Sequence, residues 1–244
     1  MPRGKVGASN RVEAVSKSGI RALGLVAGAT LAVMASASGA GAATIDWNAW
    51  SSTFKTSATS GSATGAAGSV GVTYSGELEN LFLGYPSWGP AGTFNGGTIS
   101  NAPSPSDGIV QLFGGRAVVD TITFSHPVTN PVMAIWSLGQ GGINASFQFS
   151  GEPFAIESGG PSNEYGGQSI TASGDAVFGS EGNGTIQFLG TYSKITWTNP
   201  VFENWYGFDV GVQAVPEPAT WAMMLLGFGG LGAAMRSRRR VAFV

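Results

Sequence analysis

Glu77 and Glu79 are the closest pair of acids in the chain, two residues apart in Gly76-Glu77-Leu78-Glu79-Asn80. On a strand, positions i and i+2 share a face about 7 Å apart. Paired carboxylates at such a spacing can cleave a glycosidic bond. The same segment serves equally as a solvated strand end with Leu78 turned inward, which needs no chemistry. His126, the one histidine, precedes Pro127 at the end of a strand-like run. It has no nucleophile or orienting acid in a shared motif and is expected at the surface. Asp107, Asp175 and Glu181 could lend carboxylates to a single calcium ion held with loop carbonyls, but no Asp-x-Asp-x-Asp-Gly loop or nonapeptide calcium repeat is present. Trp88, Trp136, Trp197, Trp205 and Tyr206 are candidates for a platform under sugar rings. Trp136 lies in the most apolar run and is expected in the core. Trp88, in Gly84-Tyr85-Pro86-Ser87-Trp88-Gly89-Pro90, is the candidate ligand contact, because loops carry binding residues, although such an indole can also pin its loop to the core. No phosphate loop, dinucleotide fingerprint or Gly-x-Ser-x-Gly elbow appears. The expectation is a non-enzymatic domain with no catalytic residue, cofactor or assigned metal.

Composition narrows the classes further. The 244 residues contain no cysteine, which removes disulfides, thiolate nucleophiles, zinc–thiolate sites and iron–sulfur clusters. Formal net charge is −2, yet the charges are segregated. Arg3, Lys5, Arg11, Lys17 and Arg21 lie in the first 21 residues, and Arg236, Arg238, Arg239 and Arg240 lie near the end. Between Thr44 and Val215 stand three cations (Lys55, Arg116, Lys194) against twelve acids, a balance of 3 − 12 = −9. An acidic middle has no electrostatic footprint for nucleic acid, so none is expected as a partner.

The organisation along the chain follows. Residues 1–43 have the order of a secretory signal peptide: a basic start, an apolar small-residue stretch over Ala22–Ala37, then Ala40-Gly41-Ala42 as a cleavage site. Cleavage there leaves Ala43 first, and the alternative Gly41-Ala42-Ala43 leaves Thr44. Sec export machinery and signal peptidase are the implied partners. Trp47 and Trp50 sit at i and i+3, on opposite faces of an extended segment, so at least one should be buried. Thr56–Gly68, rich in Ser, Thr, Gly and Ala, suits a flexible linker, a long loop or an irregular edge strand. From Val70 onward short apolar alternations recur between Gly-rich turns, and Val132-Met133-Ala134-Ile135-Trp136 is apolar enough for a strand buried on both faces. No helix is indicated between Thr44 and Val215. Residues 44–214 are therefore expected to form one all-β domain, a β-sandwich of about eight to ten strands with jelly-roll-like or Ig-like layering.

The last segment has three physical zones. Pro216 and Pro218 hold the chain extended. Ala219–Met235 carries no charge and, as a helix rising about 1.5 Å per residue, spans about 25 Å, marginal against a hydrocarbon core of about 30 Å. Trp221 stands where an interfacial anchor belongs, and Arg236, Arg238, Arg239 and Arg240 form a positive stop. Pro216-Glu217-Pro218-Ala219-Thr220-Trp221-Ala222, the Met-Met-Leu-Leu-Gly-Phe-Gly continuation and the arginine cluster resemble the PEP-CTERM sorting signal of Gram-negative bacteria. The same short segment is also labelled an ice-binding-protein C-terminal domain, which says nothing of ice here. The resemblance implies a signal over 215–240 recognised by an exosortase, a membrane cysteine transpeptidase-like enzyme, through Pro216, Glu217, Pro218, Trp221 and Ala222. It further implies a transmembrane sorting helix, a transient stay in the inner membrane, and delivery to the cell surface or exopolysaccharide matrix. Thr121–Val132 and Phe202–Phe208 also look like the ectodomain of one group of such sorted proteins. The implied role is structural or adhesive; the alternatives are a carbohydrate- or calcium-binding module, or a polysaccharide hydrolase acting through Glu77 and Glu79.

Overall fold

An apolar residue recurring at every second position favours a strand with one buried face, and in this chain the central strands β8 and β16 are covered on both faces. The protein, described by a computed structural model over residues 41–85, 88–214 and 219–240, is built from two eight-stranded sheets. The first sheet contains β1 (Ile45–Trp47), β5 (Asn80–Phe82), β6 (Ile109–Leu112), β8 (Val132–Leu138), β10 (Phe154–Gly159), β11 (Gln168–Ser169), β14 (Gly182–Phe188) and β16 (Tyr206–Gln213). Its spatial order is β10-β14-β8-β16-β6-β5, with β1 continuing the β6 side of β16 and β11 laid parallel on β14. The second contains β2 (Ala49–Lys55), β3 (Ser60–Ala67), β4 (Val70–Glu77), β7 (Asp120–Thr129), β9 (Ala145–Phe149), β12 (Thr171–Ser173), β13 (Ala176–Gly179) and β15 (Thr191–Thr198), in the order β12-β13-β9-β15-β7-β4-β3-β2. Apart from β11 on β14, the pairings are antiparallel.

The sheets pack face to face over an aromatic centre. Phe208 meets Tyr74 and Trp197 edge-on at 5.2 Å each, and Trp50 and Phe147 at 6.3 Å each. These rings and the aliphatic residues around them form the main core. The outer face of the first sheet is covered as well. The segment between β5 and β6, with its single helical turn α1 (Ala91–Phe94), lays Trp88, Phe94 and Ile99 over Val132, Ala134 and Trp136. This third layer is why β8 is buried at every position: Met133 and Ile135 enter the main core, while Val132, Ala134 and Trp136 enter the outer cluster. On β16 the outer row is Gly207, Asp209 and Gly211. A Cβ at Gly207 or Gly211 would stand 2.4 Å from Cγ2 of Ile109 or Ile45, so the missing side chains let β6 and β1 close in.

Several expectations are met and others corrected. Trp47 and Trp50 are both buried, one in each cluster, because the chain passes from the first sheet to the second at Asn48. Ser60–Ala67 is neither linker nor edge. It is β3, paired on both sides, and its Gly and Ala residues admit the neighbours above them: a Cβ at Gly65 would lie 2.5 Å from the Ala49 carbonyl oxygen. Among the described residues sixteen strands replace the eight to ten expected, in part because two- and three-residue strands such as β11 and β12 are too short to show periodicity. The turn α1 was not anticipated. The signal-peptide assignment, apart from its last residues, lies outside the described residues.

The helix α2 (Ala219–Arg240) occupies the expected place, and Met223–Leu231 are solvent-exposed, with Leu225 and Leu226 at 72% and 70%. Among the described residues no helix is long and apolar enough to cross a membrane. The transmembrane expectation is not shown: four glycines (Gly227, Gly229, Gly230, Gly232) lower the hydropathy of a charge-free run that ends at Arg236. Replacing Phe208 with Ala should cost about 3–5 kcal/mol, because four rings lose their common contact and the cavity cannot collapse against two stiff sheets. Urea unfolding monitored by tryptophan fluorescence will read the loss.

Candidate functional site

The residues singled out by sequence end up apart from one another. Glu77 closes β4 and is 1% exposed, and its carboxylate is taken up by the Arg116 guanidinium at 2.7 Å and the amides of Phe113 and Gly114 at 3.0 Å. Glu79 lies beyond the strand, so the two do not form an open acid pair, and the hydrolase reading through them loses its site. His126 is exposed, its Nδ1 3.3 Å from the Pro127 carbonyl oxygen. It lines, with Asp46 and Gln213, a groove of about 480 Å³ whose other walls are chiefly small, apolar or hydroxyl residues. Asp107 spends its carboxylate on the amide and hydroxyl of Ser104, and Asp175 sits exposed in the turn from β12 to β13. Among the described residues no three His, Asp or Glu side chains gather closely enough to hold a metal ion. Trp88 is 4% exposed, edge-on to Phe94 at 5.1 Å, with its indole N–H donated to the Gly108 carbonyl. An indole so enclosed pins its loop and offers no face to a ligand. Trp136, Trp197 and Tyr206 are likewise buried. Pro216, Glu217 and Pro218, and the side chains of Trp221, Ala222, Arg238, Arg239 and Arg240, lie outside the described residues; Arg236 is exposed.

What the fold does assemble is a polar cleft of about 190 Å³ at one end of the first sheet, lined by Ser137, Gln140, Tyr165, Glu181, Glu203, Asn204 and Trp205. Four separate segments contribute: the end of β8, the loop before β11, the turn before β14 and the approach to β16. Ser137 and Glu181 both hold positive φ, +56° and +57°, rare for residues with a side chain. They are tied together by the Ser137 hydroxyl, which donates to Glu181 Oε2 at 2.8 Å, and the Ser137 amide donates to Asn183 Oδ1 at 2.8 Å. Gly139, at φ +76°, leaves no room for a Cβ beneath the Gly179 carbonyl. Glu203 is 1% exposed and receives the Trp205 amide on Oε1, while its Oε2 is buried with no partner. Loss of hydration, reinforced by the nearby Glu181 charge, pushes its pKa up to about 8. One wall of the cleft is aromatic. Trp205 stacks on Phe82 at 5.2 Å and on Tyr85 at 5.9 Å and meets Trp136 edge-on at 4.3 Å; Tyr165, 51% exposed, lies 5.4 Å from Trp136.

Glu203 and Ser137 carried no signal in the sequence. Glu181 is a candidate calcium carboxylate by sequence and Trp205 a candidate platform ring, and nothing local places the two together.

Buried acids recur elsewhere. Asp120, between the sheets, accepts the Tyr74 hydroxyl at 2.6 Å and the Glu77 amide at 2.7 Å, and burial raises its pKa to about 7. Asp209, fully buried on β16, accepts the Trp50 indole N–H at 2.8 Å and is shifted upward by desolvation. Unfolded carboxyls titrate near about 4. The native state therefore holds extra protons between about pH 4 and pH 8, and stability from Asp120 and Glu203 is complete below that window and is lost as pH rises through 7 to 8. The urea midpoint should fall between pH 5 and pH 9, and the double variant Asp120→Asn, Glu203→Gln should flatten that slope; a midpoint that climbs over this range contradicts the assignment.

Comparison with known proteins bears on the other end of the chain. No curated protein and no solved structure matches it. Residues 214–240, from the end of β16 through α2, match the PEP-CTERM protein-sorting motif. The chain thus carries, directly after its β-sandwich, the C-terminal signal of an exosortase-targeted exported protein.

Proposed function

We propose that this is a surface or extracellular-matrix protein whose β-sandwich is delivered by its C-terminal signal and then serves a non-enzymatic structural or adhesive role. The observation that carries the reading is where the sorting motif begins. Its first residue, Ala214, is the one at which sheet pairing ends, and its amide donates to the Thr44 carbonyl at 2.9 Å. At the other end Ala43, first after the Ala40-Gly41-Ala42 site, donates its amide to Thr98 at 2.7 Å. β1 pairs Ile45 with Gln213, so the two ends of the domain lie side by side. Cleavage before Ala43 and a cut in the Pro-Glu-Pro region would both fall outside the hydrogen-bonded body, and neither would cost it a strand.

The apolar surface of α2 fits a transient role. Leu225, Leu226 and Phe228 are exposed in the protein and suit an apolar surrounding, such as the inner membrane next to an exosortase. The four arginines would hold the cytoplasmic end. Glu217 would supply the charge that the exosortase reads between two rigid prolines. A ligand-binding role for the ectodomain is the second reading, and the aromatic and acidic cleft favours it over hydrolysis through Glu77 and Glu79.

Intact mass of the protein from membrane and extracellular fractions tests the sorting reading. The wild type should appear outside the cell as a chain from about Ala43 or Thr44 to the Pro-Glu-Pro region. Glu217→Ala should accumulate in the membrane with its C-terminal tail attached. Release of that variant at the wild-type mass would remove the exosortase role.

A further inference from the structure

We propose that the cleft between Tyr165, Trp205, Glu181 and Glu203 binds a single ring of a neutral pyranose glycan. This deepens the ligand-binding reading above and relies on surface delivery only for where the glycan is met.

The cleft has the two kinds of wall that a sugar ring requires. A pyranose presents an apolar C–H face and an equatorial rim of hydroxyls. Tyr165, half exposed, and the partly buried Trp205 offer rings for the face. Glu181, Gln140 and Asn204 offer acceptors and donors for the rim, and the Asn204 amide is already held by Gln140 Oε1 at 3.0 Å. Glu203 adds an unmet demand. It lines the cleft and its Oε2 is buried without a partner, and such an atom costs free energy until a hydroxyl or a water reaches it. Two residues held at positive φ meet at the same place, and strain of that kind gathers where a structure is shaped for a ligand.

Size and charge narrow the ligand. About 190 Å³ is less than the roughly 300–1,000 Å³ of pockets for drug-sized molecules, so a single ring fits and a longer glycan would run out over the exposed Tyr165. The domain balance of −9 and the Glu181 carboxylate repel uronates and sulfated sugars. A cation is the weaker fit, because two of the lining residues, Tyr165 and Trp205, are aromatic and Glu203 keeps its proton to about pH 8.

The full-length protein in detergent should be applied to immobilised neutral gluco-, galacto- and manno-oligosaccharides, with polyuronate as comparator and with or without a chelator. Retention on at least one neutral series is expected, indifferent to chelator. Tyr165→Ala and Glu181→Gln should each weaken it about tenfold, since a stacked ring and a charged hydrogen bond are lost in turn. Tyr165 is half exposed, so its variant should unfold at the wild-type urea midpoint and the loss can be assigned to the site. Absence of retention on every neutral series, preference for polyuronate, loss with chelator, or undiminished, wild-type retention by both variants would each overturn the site. A correctly sorted protein that binds no glycan would defeat this inference and leave the sorting reading standing.

Discussion

The structure depends on burying the central β8–β16 pair on both faces. Every residue of β8 is buried, as is every residue of β16 except its last. Without cysteine the domain has no covalent staple, so packing must supply the whole of its stability. Two sheets alone would leave Val132, Ala134 and Trp136 facing water. The segment between β5 and β6 prevents that with Trp88, Phe94 and Ile99, and Trp47 joins from β1. The aromatic residues of loops and termini thereby become core residues, and what remains for function is the margin where this third layer stops.

That margin is where Trp205 and Tyr165 emerge. Trp205 belongs to both worlds: it stacks on Phe82 and Tyr85, touches Trp136, and still lines an open cleft. The cleft's backbone is held in an uncommon shape: Ser137, Gly139 and Glu181 all have positive φ, and the Ser137 hydroxyl ties down the Glu181 carboxylate.

Charge shapes the domain as strongly as packing does. Twelve acids meet three cations, and among the described residues one ion pair forms, Arg116 with Glu77. The acids that the fold buries therefore depend on hydrogen bonds and protonation for their neutrality. Asp120 leans on Tyr74, Asp209 on Trp50, and Glu203 on the Trp205 amide. Each is a buried carboxyl, and each is shifted upward chiefly by loss of hydration.

The all-β class, the double burial of Val132–Trp136 and the sorting segment were legible because each is written in consecutive residues. Period-two alternation reports a strand, an unbroken apolar run reports two covered faces, and Pro-Glu-Pro-x-x-Trp-Ala followed by an apolar run and arginines is a local pattern. Ser60–Ala67 escaped because its inward positions are Gly and Ala, which carry no periodic hydrophobic signal yet are what allow close strand approach. Trp88 is a loop residue by sequence and a core residue by packing, a difference set only when the loop folds over β8. The acids misled for a related reason. Glu77 and Glu79 are neighbours along the chain, but pairing in the fold is decided by which strand ends meet, and β4 ends between them. Glu181 and Glu203 are 22 residues apart with β14 and β15 between, and Ser137 is 44 residues before Glu181. Sequence by itself determined the strand-forming rhythm and the export address, since both are local properties of the chain. Tertiary structure alone decided which side chains are buried, protonated and brought together, because those follow from strand order and sheet packing.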